Sequence, residues 1–361
     1  MKIAVGLSGG VDSSIAALTL KEAGHDVVGI TMRLWRGTFR GGTRDACFGP
    51  GEAEDIARAE ALARTLGIDY RVFDCSDAYE RAIVGAFRAT SLKGETPNPC
   101  VLCNAAMKFG LLPRLAREAG LSFDRFATGH YARIVERNGR FAVRRAADEH
   151  KDQSYFLYRL SQEQLATTLF PLGDKTKAEV RAIAAAHGLA VAEQADSQDF
   201  YSGDKAELIA AEPRDGEIVD LSGRVLAHHT GFWNFTVGQR KGLGVYGPEP
   251  YYVIRLDACH NRVVVGSRAE AFSREFAVGD LHWMGQAPTA EAFSAGVKIR
   301  STGAPLGPVT FADGVCRAPG EGLFGVAPGQ SAVFYDAEGV ILCGGVIRKP
   351  NSEATDDVGR N

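Results

Sequence analysis

No stretch of this chain approaches the ~18 consecutive apolar residues of a membrane-spanning helix, so no such helix is expected. The first residues, Met1-Lys2-Ile3-Ala4-Val5, read as a strand at once. The charged segment, apolar segment and cleavage site of a secretory signal are lacking, and the expected compartment is the cytoplasm. An excess of one charge is lacking too. The 41 Lys and Arg against 44 Asp and Glu give a net charge of −3, which excludes a global basic footprint for nucleic acid and leaves room for a local patch. The seven cysteines are odd in number and spread widely. Without an export signal they are expected as thiols, and a close pair reads as catalytic or metal-binding rather than as a structural staple. No internal repeat is evident. What remains is a 361-residue chain, 45% hydrophobic and 24% charged, long enough for two or three domains with ordinary cores.

Strand-like and helix-like patterns alternate over the first 200 residues. Residues 2–6, 25–32, 68–74 and 126–129 read as strands. Residues 11–23 and 52–66 read as helices, each closed by a glycine, Gly24 and Gly67. Such alternation implies βαβ units, an α/β fold and a mainly parallel sheet, whose ligands bind beyond the carboxyl ends of the strands. Near residue 205 the texture changes. Residues 217–226 carry a hairpin signal with Ser222-Gly223 at the turn. From about residue 276, short strands separated by Gly, Pro and Asp suggest a small antiparallel β-domain, barrel-like in spacing. The expected division is 1–205, 206–275 and 276–350, with a polar, disordered tail at 351–361.

The first strand runs into Gly6-Leu7-Ser8-Gly9-Gly10-Val11-Asp12-Ser13-Ser14. Gly9 and Gly10 permit close backbone approach and positive φ. The helix that follows offers unpaired N–H groups and a positive dipole end to an anion, and the serines add hydroxyls. The lysine of a triphosphatase loop is missing. Asp12 is out of place at an anion site unless it holds Mg²⁺ or orients another group.

Ser8-Gly9-Gly10-Val11-Asp12-Ser13 resembles the PP-loop of the N-type ATP pyrophosphatases. Further segments resemble, in order, those of the tRNA-specific 2-thiouridylases: Thr96-Pro97-Asn98-Pro99-Cys100-Val101-Leu102-Cys103-Asn104, Ala127-Thr128-Gly129-His130-Tyr131, Lys151-Asp152-Gln153-Ser154, Phe170-Pro171-Leu172-Gly173-Asp174-Lys175-Thr176-Lys177, Thr236-Val237-Gly238-Gln239-Arg240-Lys241-Gly242, and Ala327-Pro328-Gly329-Gln330. The resemblance implies an adenine nucleotide alpha hydrolase-like N-terminal domain, a small central β-rich domain that binds tRNA and a C-terminal β-barrel. It implies that the C2 oxygen of the wobble uridine is adenylated by ATP with Mg²⁺, and that sulfur then displaces AMP. Gly6, Leu7, Ser8, Gly9, Gly10, Val11, Asp12 and Ser13 would bind ATP, with Met32 and Gly129 near the adenine. Asn98, Pro99 and Cys100 would flank the target base. His130, Lys151, Asp152, Gln153, Arg300, Ser301 and Gln330 would touch tRNA. Cys103 falls at the catalytic cysteine, beside Cys100 and Asp12. The sulfur would come from a cysteine desulfurase, a relay protein or free sulfide. The densest basic set available for RNA is Arg137, Arg140, Arg144, Arg145, Arg240 and Lys241.

One position departs from that family. Where many members carry a second cysteine, this chain reads Asp196-Ser197-Gln198-Asp199-Phe200-Tyr201, and a phenol cannot carry a persulfide. Two solutions stay open. Cys100 and Cys103 form a Cys-x-x-Cys able to run dithiol chemistry between themselves. Alternatively, Cys47, Cys100 and Cys103 ligate a [4Fe–4S] cluster that leaves one iron open. A Cys₃His zinc site with His130 is a further arrangement. Cys75, Cys259, Cys316 and Cys343 are expected as small buried hydrophobes. A sulfur transferase for another substrate, or a tRNA-binding homologue impaired by Tyr201, are the competing readings of function.

Overall fold

The structure is a computed structural model of the chain, described here for residues 1–42, 46–189, 199–201, 203–285, 287 and 292–349. The stretch 196–198 and the tail 351–361 lie outside the described residues.

Strand β1 (Lys2–Gly6) is apolar at every central position, and Ile3, Ala4 and Val5 are fully buried. Such a strand needs cover on both faces, which only a helix-flanked parallel sheet supplies. β1 pairs in parallel with β2 (Asp26–Arg33) on one side and with Arg125–Ala127 on the other. The whole sheet runs Asp69–Asp74, β2, β1, Arg125–Ala127, Thr168–Leu169. Chain order therefore reverses between β1 and Arg125–Ala127. A crevice opens at the carboxyl ends of strands at such a switch point, and here it receives the turn after β1 and the segment Thr128-Gly129-His130.

Helix α1 (Val11–Glu22) is buried nearly all round, with Ile15, Ala16 and Ala17 fully enclosed. Helix α2 (Glu52–Leu66) ends on Gly67, whose φ of +57° makes the left-handed turn that receives the last helical carbonyls. Leu62 and Leu66 of α2 share a core with Ile15 and Leu18 of α1 and with Val180 and Ala184. A second core on the other side of the sheet joins Phe109, Leu112 and Phe126 to Tyr155 and Tyr158 and reaches Val333 and Tyr335.

The predicted hairpin forms between Gly216–Asp220 and Val225–His229, and its turn is tied by Asp220, whose carboxylate accepts from the Ser222 and Arg224 amides. Arg262–Gly266 and Tyr252–Asp257 complete that sheet. Beyond it, six antiparallel strands close a barrel in the order Glu275–Trp283, Val315–Arg317, Leu306–Ala312, Ala292–Lys298, Ser331–Tyr335, Ile341–Ile347. The barrel packs against the parallel-sheet region. Lys298 and Asp152 pair across that contact at 3.2 Å with both side chains almost fully buried. Among the described residues no helix is long and apolar enough to cross a membrane.

Candidate active site

The turn after β1 is fixed before any ligand arrives. The Leu7 amide donates to the Ile30 carbonyl at 2.9 Å, and the Leu7 carbonyl accepts from the Thr31 hydroxyl at 2.6 Å. Gly9 has φ +75°, and a Cβ there would lie 2.3 Å from the Asp55 carbonyl of α2. Gly10 caps α1 in extended conformation with no side-chain acceptor, so the amides of the first turn are left for a ligand. Ser13 and Ser14 turn their hydroxyls back onto the Gly10 carbonyl at 3.1 and 2.8 Å, and Ser8 contacts the Ser13 hydroxyl. Val11 is buried and contributes backbone only. Gly6 lies against the Phe126 ring, where a Cβ would sit at 3.2 Å. Gly129 backs directly onto α1: a Cβ would be 2.6 Å from the Asp12 carbonyl carbon and the Ser13 nitrogen. Met32, at the end of β2, is half-buried between two cores.

The side chain of Asp12 is held from two directions. Lys177 donates to its Oδ1 at 2.7 Å and its Oδ2 at 2.9 Å, and the Tyr131 hydroxyl donates to Oδ1 at 2.8 Å. Sequence reasoning passed over Lys177 because 165 residues separate it from Asp12.

Next to this crevice lies a cavity of about 510 Å³, within the ~300–1,000 Å³ of small-molecule sites. It brings together eight of the residues expected from the sequence: Cys47, Asn98, Pro99, Cys100, His130, Gln153, Ser301 and Gln330. Gln330 donates to the Pro97 carbonyl at 2.9 Å, so the barrel buttresses the cysteine loop. Asn98 donates to the Tyr155 hydroxyl at 3.2 Å. His130 is buried, with Nδ1 2.8 Å from the Thr128 hydroxyl. Burial, with Lys108 adding to it, holds its pKa well below the usual imidazole range, so the ring is neutral. Aromatic side chains that the sequence did not single out also line the walls, among them Phe156, Phe200, Trp233 and Phe235. Flat apolar walls beside amide side chains suit an unstacked base.

Pro99 starts a single helical turn, Pro99–Leu102, and the chain continues as a nine-residue π-helix, Cys103–Leu111. Gly110 lets the wide turn close, since a Cβ there would meet the Ala105 carbonyl at 2.9 Å. In a π-helix residues i and i+5 are joined by the backbone bond. This brings Lys108 round toward Cys103, where an α-helix would turn it away, and Lys108 lines the cavity. Cys103 is half-buried and is not among the cavity walls. Burial pushes its thiol up to about 11, Lys108 pulls it down and Cys47 pushes it further up.

The remaining expected contacts lie elsewhere. The Asp152 side chain is fully buried, paired with Lys298 and Arg145, and accepts from the Ala146 and Ser154 amides, so it has no surface to offer a tRNA. Lys151 lies outside the cavity walls, in the turn tied by Asp148. Arg300 is exposed, yet its guanidinium is used to donate to the Val237 and Gly325 carbonyls at 3.2 Å each, joining the central region to the barrel. Part of the basic set is engaged within the protein: Arg137 pairs with Asp336 and Glu338, and Arg144 donates to the Glu338 carbonyl, whereas Arg140, Arg240 and Lys241 are exposed. Among the described residues no three His, Cys, Asp or Glu side chains converge as a metal ion requires, so the zinc arrangement with His130 is not assembled. Cys75, Cys316 and Cys343 are buried as expected, whereas Cys259 is exposed.

Residues 1–201 match the family described as a tRNA methyl transferase HUP domain, residues 208–267 the tRNA methyl transferase PRC-barrel domain, and residues 273–347 the aminomethyltransferase beta-barrel domain. The chain is 43% identical over 357 residues to a tRNA-specific 2-thiouridylase MnmA of Endomicrobium trichonymphae, covering 96% of this chain and 99% of that protein. It is 44% identical over 359 residues to the tRNA-specific 2-thiouridylase MnmA of Thermosynechococcus vestitus, covering 96% and 94%. The chain belongs to the tRNA-specific 2-thiouridylase family. A solved 4-thiouridine synthetase–RNA complex with bound ATP aligns with 56% of this chain and 44% of that one, at 15% identity and a TM-score of 0.35, a likeness too loose to bear on the site.

For a 2-thiouridylase-family chain, the surroundings of Tyr201 are informative. Ala46–Phe48 and Asp199–Tyr201 pair in parallel, with Phe48 opposite Tyr201. Side chains alternate along strands, so Cys47 projects away from the face that carries Phe48 and Tyr201. Cys47 is exposed and lines the cavity, while Tyr201 is buried against Trp35, Phe39 and Phe48. The Tyr201 hydroxyl donates to Glu207 at 2.5 Å and accepts from the Gly41 amide at 3.2 Å. Tyr201 is thus a packing residue. Tyr201→Phe should lower the unfolding free energy by ~1 kcal/mol, measured by denaturant titration, with tRNA thiolation within twofold of the parent.

Proposed function

We propose that this protein uses MgATP to replace the C2 oxygen of the tRNA wobble uridine with sulfur, releasing AMP and pyrophosphate. The observation that supports it best is the continuity of the two half-sites: Gly129 touches the first turn of α1 on one side, and its neighbour His130 walls the cysteine cavity on the other. An activated base in that cavity is within reach of both an α-phosphate and a thiol. We divide the chain as 1–205 for the chemistry, with 206–275 and 276–350 holding the tRNA. We assign it to the cytoplasm, whose reducing conditions keep cysteines as thiols, with a desulfurase, a relay protein or sulfide as the sulfur source.

The C2 oxygen attacks the α-phosphate and pyrophosphate leaves from the glycine-rich turn, whose amides and helix dipole stabilise the charge on it. Asn98 and Gln153 supply amides for the base edge, Gln330 holds the cysteine loop through the Pro97 carbonyl, and the aromatic walls exclude water. Sulfur delivery has two forms. In the dithiol form, a Cys103 persulfide attacks C2 and AMP leaves. The Cys100 thiolate then attacks the Cys103 sulfur, which leaves sulfur on the base and a Cys100–Cys103 disulfide that a reductant must reopen. In the cluster form, Cys47, Cys100 and Cys103 would hold a [4Fe–4S] group, which would supply sulfide to the activated base. Thiolates are the donors such a group takes; Cys47 and Cys100 wall one cavity and Cys103 lies one helical turn from Cys100, although the three do not converge on one point in this structure. Cys47 stands on the strand beside the one that carries Tyr201, so it supplies a thiol next to the position where the family's second cysteine is missing.

Incubation with MgATP, unmodified tRNA and a sulfur source, either a cysteine desulfurase with cysteine to supply persulfide sulfur or sulfide, followed by nucleoside digestion, should yield 2-thiouridine. No product from either aerobic or anaerobic preparations would favour a binding-only homologue. The sulfur route separates by thiol chemistry. With the Cys103 thiol at about 11, its thiolate fraction in iron-free protein rises about tenfold per pH unit from 8 to 10, and alkylation by iodoacetamide should follow it. Lys108→Met removes the nearby positive charge and should slow that alkylation several-fold at any pH in this window. Protein reconstituted with iron and sulfide should be protected throughout if the cluster forms. Equal alkylation with and without iron and sulfide would exclude it.

A further inference from the structure

We propose that Asn104 selects the base: its side-chain oxygen accepts the N3–H of the uracil that is to be thiolated. This rests on the wobble-uridine reading above. Asn104 follows Cys103 in the π-helix Cys103–Leu111. Residues four apart share a helix face, and the wide π-turn keeps them there. One face carries Cys103, Met107 and Leu111, which pack into a core with Phe48 and Tyr79. The next carries Cys100, Asn104 and Lys108, and all three wall the cavity. Asn104 is only 5% exposed, and its Nδ2 donates to the Phe156 carbonyl at 3.4 Å. A carbonyl only accepts, so the amide has one orientation and Oδ1 is the atom left over. Oδ1 is buried and accepts from no group among the described residues, and of such orphans it is the one that belongs to a wall of the cavity. A buried acceptor without a donor is costly. Beside a cavity, it points to a ligand that brings the donor. The bond to Phe156 is long, so a small rotation of the amide turns Oδ1 to the cavity while Nδ2 stays beside that carbonyl.

The two pyrimidines differ at the atom that Oδ1 meets. Uracil carries N3–H, a donor. Cytosine carries a bare N3, whose lone pair would face the Asn104 oxygen. One acceptor therefore attracts the right base and repels the wrong one. Gln153 complements it: its Oε1 already accepts from the Tyr131 amide at 2.9 Å, which leaves its N–H groups for a base carbonyl. Lys108 sets the register. Its ammonium is felt at both His130 and Cys103, so it stands between the nucleotide crevice and the thiol. The base turns O2 that way to reach the α-phosphate, and N3, the ring atom next to C2, falls to Asn104 one turn back. The contact strengthens along the reaction. As the O2–P bond forms and the bond to pyrophosphate breaks, positive charge spreads over C2 and N3, and N3–H becomes a charge-assisted donor. No proton has to leave, since uridine, the activated base and 2-thiouridine all carry N3–H. A neutral, non-basic acceptor suits this role, because a base would remove the proton and make C2 a poorer target for sulfur. Asn104 thus stabilises the transition state for adenylation more than the bound substrate.

The test uses the whole chain and ligated tRNAs with uridine, 3-methyluridine or cytidine at the wobble position. Rapid quench gives the rate of pyrophosphate formation. Filter binding with Mg²⁺ and a non-cleavable α,β-methylene ATP gives the affinity for each tRNA. In the parent, the 3-methyluridine and cytidine tRNAs should react about 100-fold or more slowly than the uridine tRNA. In Asn104→Ala, the uridine rate should fall ~100-fold, and the uridine-to-cytidine ratio should fall about tenfold or more. The 3-methyluridine rate should rise about tenfold above that of the parent, because the methyl group takes the vacated space. Affinity for the uridine tRNA should fall less than tenfold, since most contacts with a tRNA lie outside the cavity. A residue that only supported the helix, or a water held on Oδ1, would slow all three tRNAs alike. Unchanged ratios among the three tRNAs in a folded Asn104→Ala protein overturn the assignment. Where that variant fails to fold, the parent decides: a 3-methyluridine rate within threefold of the uridine rate overturns it. Absence of pyrophosphate formation by the parent with the uridine tRNA would instead remove the wobble-uridine reading, and this assignment with it.

Discussion

Cys103→Ser should abolish 2-thiouridine formation while leaving tRNA-dependent release of pyrophosphate within a few-fold of the parent. The two half-reactions draw on different parts of the site. Adenylation needs the turn after β1 and a seated base. Sulfur transfer needs a thiol that can carry a sulfane sulfur or ligate iron, and a serine hydroxyl does neither. Loss of a nucleophile costs on the order of 10⁴-fold or more, so product should be undetectable in single-turnover assays, and AMP should appear only as fast as water hydrolyses the activated base. Cys100→Ser separates the two sulfur routes. In the dithiol form it permits one transfer from a preformed Cys103 persulfide to be initiated but not completed, trapping a covalent protein–tRNA adduct visible on denaturing gels. In the cluster form it removes a ligand, and iron content falls with activity. Retention of thiolation by Cys103→Ser under both aerobic and anaerobic conditions would exclude this cysteine from the chemistry.

The contrast between what local sequence reveals and what it hides is clear at this site. The glycine-rich turn is legible because its chemistry is contained in nine consecutive residues between a strand and a helix. The cysteine loop is legible for the same reason. Lys177 is hidden because it meets Asp12 only after the sheet and its helices have formed. Lys108 is hidden for a different reason: apolar periodicity is read against 3.6 residues per turn, and the π-helix Cys103–Leu111 follows another period. The aromatic walls come from three separate regions, with Phe156, Phe200 and Trp233 each explicable alone as core. Charge misleads in the opposite direction. Arg137, Arg144 and Asp152 look like surface groups for RNA, yet the barrel meets them with Asp336, Glu338 and Lys298 and turns them into the contact between regions. A run of charges in the sequence carries no information about a counter-charged partner some 150–200 residues away.

Gly9→Ala should cost both half-reactions together, which distinguishes it from any change at the cysteines. The residue's φ of +75° falls in the left-handed region, where a Cβ costs roughly 1–2 kcal/mol. That strain is the smaller effect. The added methyl would lie 2.3 Å from the Asp55 carbonyl and 3.0 Å from its carbon, both backbone atoms of α2, so no side-chain rotation relieves the clash. Either the turn or the start of α2 must shift. α2 is not free to do so cheaply, because Glu52 in its first turn accepts from the Leu34 and Trp35 amides at 2.6 and 2.9 Å and thereby fixes the exit of β2. The turn gives way instead, carrying the Gly10 cap and the first amides of α1 out of line with a phosphate. A displacement of about 1 Å in a positioned site costs about 10²-fold, and here it also disturbs Asp12, to which Lys177 and Tyr131 are bonded. Binding of the non-cleavable ATP analogue should weaken at least tenfold and pyrophosphate formation should fall ~10³-fold. The barrel, whose core shares no residue with this turn, should unfold as in the parent. Alkylation of Cys103 in iron-free protein should keep its pH dependence. Parent-like nucleotide affinity in Gly9→Ala would mean that phosphate binding does not depend on the backbone of this turn.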